Sequence, residues 1–200
     1  MSLDTTRDAP VPDVLADMAV CYQLRVELTL IYEGPLPPKG RGISPVKATL
    51  REAFHPQIKT QVEPRLGKNR RNIMTSFMGQ QFFSPAHPGL RTAAELHVLM
   101  LTPVVDRRPG DVDNRLKTLV DGLTRPANPQ QMSNFTPPDP AGTFCLLDDD
   151  ARVTRITLDT RNSYRPPRAS KEVLVVVTAK IVLGADADMS SPTGNLFLVL

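Results

Sequence analysis

The chain reads first as a succession of apolar rhythms. In residues 22–32, YQLRVELTLIY, Leu24, Val26, Leu28 and Leu30 alternate with Arg25, Glu27 and Thr29. A period of two predicts a half-buried strand. Ser44 and Pro45 suit a helix start, and Val46, Leu50, Ala53 and Phe54 then follow helical spacing. This predicts a helix to about residue 62, kinked or split at Pro56. IMTSFMGQQFFSP (73–85) predicts one strand, and AAELHVLMLTP (93–103) a stronger one. From 113 to 124, Leu116, Leu119, Val120 and Leu123 form the apolar stripe of a second helix. Residues 124–147 are proline-rich and without period, so they predict a loop of a length that is usually functional or mobile. ARVTRITLDTRNSY and KEVLVVVTAKIVL predict two last strands, paired as a hairpin. Strands outnumber helices and do not alternate with them. The expected class is α+β, a mixed sheet with helices packed on one face.

Prolines at 10–12, 35–38, 126–140 and 166–167 punctuate this pattern and mark loops. The expected organisation is a weakly ordered arm over 1–19, one domain over 20–183 with an insertion at about 124–147, and a tail over 184–200. No apolar run is long enough to span a bilayer, and the opening residues lack a secretory pattern. Cys21 and Cys145 are far apart and form no CxxC motif, which argues against a disulfide framework or a zinc site. A reducing, cytoplasmic setting is the expectation. Charge adds one point. The net charge is +3, but residues 39–71 hold nine Lys or Arg against two Glu. Such a block suits either a polyanion partner or a solvated basic face.

The chemistry concentrates in RRPGDVDNRLKTLVDGLT, residues 107–124. In an extended segment, residues i and i+2 point to one side, so Asp111 and Asp113 face one spot if they end a strand. Two close carboxylates repel unless a cation lies between them. Oxygen-only ligands suit Mg²⁺ or Mn²⁺. Asp113, Lys117 and Asp121 then follow at i, i+4 and i+8 along one helix face. A lysine one turn below a carboxylate pair can meet a phosphate or developing negative charge. The plain alternatives are a surface salt-bridge row and an N-cap at Asp113. A second cluster, LLDDDARV, sets Asp148, Asp149 and Asp150 just before a strand. One of these can complete an ion site with Asp111 and Asp113 if the last strands pair beside the 93–103 strand. Carboxylates, an ion and a nearby lysine are the equipment of phosphodiester hydrolysis.

In this order the motifs resemble the RusA family of Holliday junction resolvases. Its pattern is an Asp-x-Asp-Asn opening a helix, a Lys four residues after the second Asp, an Asp-x-Leu at the helix end, and a downstream Asp-Asp-Ala/Ser-x-Val/Ile before a strand. Here these read DVDN (111–114), Lys117, DGL (121–123) and DDARV (149–153), with Arg107 and Arg108 upstream. The resemblance implies a RusA-like fold and a metal-dependent endodeoxyribonuclease of recombination and repair. It implies that Asp111, Asp113 and Asp150 bind Mg²⁺ (Mn²⁺ substituting), that Asp149 is a secondary ligand candidate, and that Lys117 assists at the scissile phosphate. The partner is then branched DNA, preferably four-way junctions, cut by a homodimer. Arg107, Arg108, Arg115, Lys117 and Arg125 are its expected DNA contacts. The proline-rich 124–147 stretch and Gly110 before the first Asp depart from the family pattern.

Other readings are weaker. Glycosyltransferases also use DxD, but nothing Gly-rich here cradles a pyrophosphate. A DNA-junction-binding module of the same fold that does not cut is the main alternative. His55 lacks an acidic neighbour in sequence and is expected to be structural, His87 to be a loop residue, and Cys145 a small apolar filler.

Overall fold

The first alternation becomes strand β1 (Val26–Pro35), buried at every second residue. A computed structural model describes residues 26–37, 45–103, 112–163 and 172–184. The arm, the tail, Asp111, Arg107 and Arg108 lie outside the described residues.

Helix α1 (Pro45–Leu66) is not split at Pro56 but continues through it. Packing decides this. A proline inside a helix costs roughly 3 kcal/mol. On α1, Leu50, Phe54, Ile58, Val62 and Leu66 recur every four residues and are all buried. Each such side chain contributes roughly 1.5–3 kcal/mol on leaving water, so burial on both sides of Pro56 outweighs the lost hydrogen bond.

The expected strand at 73–85 is instead a tight hairpin, β2 (Met74–Phe77) and β3 (Gln80–Phe83). Met78 and Gly79 both have positive φ, 49° and 77°, as a two-residue hairpin turn requires. The turn is only two residues long and one of them is Met78, so little in the local sequence marks it. Strand β4 (Thr92–Pro103) and helix α2 (Val112–Leu123) follow. The proline-rich stretch is not structureless. It holds a short helix α3 (Pro129–Ser133), capped by the Asn128 side chain, and strand β5 (Thr143–Phe144). Strands β6 (Val153–Ser163) and β7 (Glu172–Leu183) complete the described chain.

The main sheet has the order β1-β7-β4-β6, with β6 parallel to β4 and the other pairs antiparallel. The expected β6–β7 hairpin is therefore absent, because β4 lies between the two strands. Composition explains the exchange. β7, EVLVVVTAKIVL, is apolar enough for a central place, whereas β6, VTRITLDTRNS, suits an edge. Inward residues of β1, β7 and β4 meet α1 and α2 in one core. At Gly122 the two helices cross so closely that an added Cβ would lie 2.6 Å from Leu50 Cβ. The class is α+β, with the helices on one face of a mixed sheet. A second, smaller sheet, β2-β3-β5, was not expected.

The 124–147 insertion is tied down by α1. Buried Arg51 donates from Nε to Thr124 O (2.7 Å) and from a terminal nitrogen to Asp121 O (2.9 Å). Lys59 pairs with Asp139 at 2.5 Å, and Phe144 N donates to His55 Nδ1 at 2.9 Å. Phe135 packs on Phe82 and Cys145 in a second small core. Much of the basic 39–71 block is thus internal scaffolding. Lys47, Arg51, Lys59 and Arg70 all hold partners within the chain, while Arg65 and Arg71 are exposed. No described helix is long and apolar enough to cross a membrane.

Candidate functional site: a carboxylate and lysine cleft between α2 and β6

The second acidic cluster reaches α2 through the backbone. Leu146 N and Leu147 N both donate to Leu123 O at the end of the helix (3.0 and 3.1 Å), and Arg125 N donates to Leu147 O (3.1 Å). On the other side, Asp148 N donates to Ala86 O (3.0 Å). The returning segment is clamped between α2 and the 84–86 stretch. It then turns through a short 3-10 segment, Asp150–Arg152, into β6.

A cleft of about 690 Å³ lies between α2 and the start of β6. Asp113, Leu116, Lys117, Val120 and Asp121 line the helix side, and Asp150, Val153, Arg155 and Ile156 the strand side. Its apolar lining comes from Leu116, Val120, Val153 and Ile156, and its acids and lysine from both walls. Asp113 is in the first turn of α2, where the helix dipole favours a negative charge. It follows Val112 within the helix, so it is not the N-cap. Asp121 forms an ion pair with Lys47 of α1 at 2.6 Å, which makes it a structural acid at the helix end.

The three adjacent aspartates have three different surroundings. Asp149 caps the 3-10 turn, accepting from Ala151 N at 2.9 Å. Asp150 is exposed and lines the cleft. Asp148 is 7% exposed and points the other way. Its Oδ1 accepts from Thr75 Oγ1 (2.6 Å) and from Arg125 Nε (2.7 Å). Thr75 Oγ1 lies 3.0 Å from His87 Nε2, while His87 Nδ1 accepts from Gly89 N (2.9 Å). Since Nδ1 accepts, Nε2 carries the proton. The run is then His87 Nε2–H to Thr75 and Thr75 O–H to Asp148.

The ionisation of these groups follows from that wiring. Burial works to raise the Asp148 carboxyl, but hydrogen bonds from Arg125 and Thr75 and the Arg125 charge hold it below the ordinary value of 3.8. Burial lowers His87 below 6.5 against the pull of Asp148, with Arg125 and Arg152 adding to the lowering. Burial likewise lowers His55, against Asp139. Burial also raises the Cys145 thiol to about 12, which leaves it inert. The sign for stability is fixed. The unfolded chain binds more protons than the folded one around and below pH 6.5, so stability rises with pH there. The histidine contribution is full above 6.5 and is lost as pH falls through the lower folded values; Asp148 adds a loss at still lower pH. Melting temperature is expected to fall between about pH 7.5 and about pH 5, and His87→Gln to flatten that slope. Thermal melts at both pH values check this.

Two of the expected DNA contacts are turned inward or already partnered. Arg115 is 6% exposed, so its side chain is not offered to a phosphate. It falls on the inward side of α2, next to the Leu119 and Leu123 stripe. Arg125 is committed to Asp148, and donates from its Nη1 to Pro126 O at 3.1 Å. Asp113, Lys117 and Asp150 are brought to one cleft, whereas Asp111, Arg107 and Arg108 lie outside the described residues. The expected convergence of Asp111, Asp113 and Asp150 includes a residue outside the described ones; among the described residues no three acid, His or Cys side chains form a metal-holding group. Asp113 and Asp150 are oxygen donors of the kind Mg²⁺ takes, and both line the cleft. Mg²⁺ commonly takes one or two carboxylates and completes its shell with water and substrate phosphate. Thr75 escaped the sequence reading and His87 was read there only as a loop residue, because nothing local marks two residues that act through Asp148. The chain matches no protein-family model, and no curated protein matches it.

Proposed function

We propose that the chain is a Mg²⁺-dependent, structure-selective endodeoxyribonuclease of RusA type that resolves four-way DNA junctions by paired phosphodiester cleavage. One observation carries the reading. Asp113, Lys117 and Asp150 belong to two separate motifs, yet they line one cleft. A salt-bridge row on a solvated helix has no need of an acid delivered from a distant loop. Asp113 and Asp150, joined by Asp111, would hold the ion. When bound, Mg²⁺ activates the attacking water and neutralises the scissile phosphate. The Lys117 ammonium, one helical turn from Asp113, donates to a phosphate oxygen as negative charge develops on it. Arg107 and Arg108 would hold the flanking backbone. A homodimer supplies two sites for a substrate that has two-fold symmetry.

The 124–147 insertion, which departs from the family pattern and is tied to α1 and to the end of α2, leaves a second reading, a junction-binding module of the same fold that does not cut. One experiment separates them. The protein is incubated with a synthetic mobile four-way junction, with duplex and flap controls, in Mg²⁺ and in Mn²⁺. The nuclease reading expects paired nicks in the junction and little cutting of duplex. Gel-shift retention of the junction without nicks in either metal supports the binding module. Equal cutting of duplex removes the junction specificity.

A further inference from the structure

Asp150 reaches the cleft on a loop, so its place depends on how that loop is held. Backbone bonds hold the approach, the last of them from Asp148 N to Ala86 O (3.0 Å). The chain then turns on itself. The Asp149 carboxylate accepts from Ala151 N (2.9 Å), and Arg152 N donates to Asp149 O (3.1 Å). The ladder with β4 begins at Val153, opposite Ala94. The turn that carries Asp150 thus enters at Asp148 and leaves at Val153. Two residues span at most about 7 Å, so Asp150 stays close to its entry point. That entry point is a buried carboxylate with both donors on one oxygen. Arg125 Nε comes from just beyond α2, the helix that carries Asp113 and Lys117. Thr75 Oγ1 comes from β2, and His87 Nε2–H, donating to that oxygen, leaves the Thr75 proton for Asp148. Arg125 is braced in turn. Its Nη1 donates to Pro126 O, and its guanidinium lies 6.0 Å from the centre of the Phe77 ring, also on β2.

We propose that Thr75 and Arg125 are positioning residues for the ion site: through Asp148 they set where Asp150 stands relative to Asp113. A buried ion pair is a poor source of stability, since an apolar replacement of the same volume often does as well or better. What it supplies here is direction. Two donors from two elements fix one carboxylate oxygen, and with it the line on which the chain leaves Asp148. Mg²⁺ demands that precision, because its octahedral shell takes oxygens at about 2.0–2.1 Å and a working site holds its ligands to within about 0.5 Å. Thr75, Arg125 and Asp148 do not line the cleft, so their action on an ion there is indirect. The inference rests on the reading of Asp113 and Asp150 as ligands.

Mn²⁺ binding to the full chain, followed without DNA by the electron paramagnetic resonance of the free ion, is the test. Each variant is measured well below its melting temperature. Asp150→Asn loses a ligand and is expected to raise the dissociation constant about tenfold or more. Thr75→Val keeps the shape of the side chain, removes the hydroxyl, and is expected to raise it about tenfold, the scale for a group that holds a ligand from behind. Thr75→Ser restores the hydroxyl and is expected to stay within about threefold of wild type. Arg125→Lys keeps the charge but loses the guanidinium fork, and is expected to follow Thr75→Val. In an Asp150→Asn background, Thr75→Val is expected to change the affinity by less than about twofold, because the ligand it positions is gone. A role in stability alone would lower the melting temperature and leave the Mn²⁺ affinity in place, or lower the affinity equally in both backgrounds. Either result overturns the positioning. A wild type that binds no Mn²⁺, or an Asp150→Asn protein that binds it as wild type does, overturns the ion site and the positioning together. Loss of the ion in Asp150→Asn with full binding in Thr75→Val overturns the positioning and leaves the nuclease reading standing.

Discussion

Asp113→Asn is expected to abolish nicking of a four-way junction while leaving junction binding equal or tighter. The substitution keeps the size of the side chain and removes one negative charge from the cleft. A metal ligand lost at a phosphodiester-cleaving site removes several kcal/mol of transition-state stabilisation. At 1.36 kcal/mol for each factor of ten, the rate is expected to drop about 10³-fold or more. Binding moves the other way, because a carboxylate beside the DNA backbone repels it. Asp150→Asn is expected to behave alike. Lys117→Ala is expected to cost about 10²-fold in rate, as for loss of one charge-stabilising donor. All three side chains line the cleft and two are exposed surface acids, so their melting temperatures should stay near wild type. Cleavage and gel-shift assays on one junction substrate read both quantities. An Asp113→Asn protein that still cuts in Mg²⁺ would sink the site.

Asp148→Ala is expected to do the opposite, lowering stability by about 3 kcal/mol. Asp148 is buried, and its Oδ1 holds both Thr75 Oγ1 and Arg125 Nε. Alanine would leave a guanidinium, largely out of water, without its carboxylate. It would also leave the Thr75 hydroxyl and the His87 ring beyond it without the acceptor that orders them. For a chain of 200 residues this corresponds to a drop of about 6–12 °C in melting temperature. Asp148→Asn keeps an acceptor and is expected to cost less. The comparison with Asp150→Ala is the informative one. If the three adjacent acids are interchangeable ligands, the two alanine variants should share one phenotype, loss of cleavage at unchanged stability. The structure instead expects Asp148→Ala to melt early and Asp150→Ala to melt normally and fail to cut. Calorimetry on the two proteins decides this.

How much of this was legible in the sequence depends on the range of the interaction involved. Wherever burial imposes a period, the residue pattern is the structure seen edge-on. The alternation in β1 and the stripe of α2 are local facts, and so is the α+β class that their order implies. Local signals also failed in a characteristic way. At Pro56 a strong local rule was overridden by five buried side chains along α1. At Met78–Gly79 a two-residue turn split what the sequence offered as one strand. In 124–147, prolines spoke for a free loop, while distant Arg51, Lys59 and His55 pinned it down.

The candidate chemistry divides along the same line. The sequence by itself determined that Asp113 and Lys117 lie one turn apart on a helix, because that is a matter of spacing. It also determined that an acid triplet precedes a strand. It could not say which of Asp148, Asp149 and Asp150 does what. Their partners lie at very different separations, 73 residues for Thr75, 23 for Arg125 and 2 for Ala151. Nor could it say that Arg115 and Arg125 turn inward while Lys117 turns out, since a charge carries no mark of the side it will face. Tertiary structure made those assignments, and it left β6 at the edge of the sheet. Helix and strand periods are set by neighbours in the chain, whereas a buried charge goes where a distant partner can neutralise it.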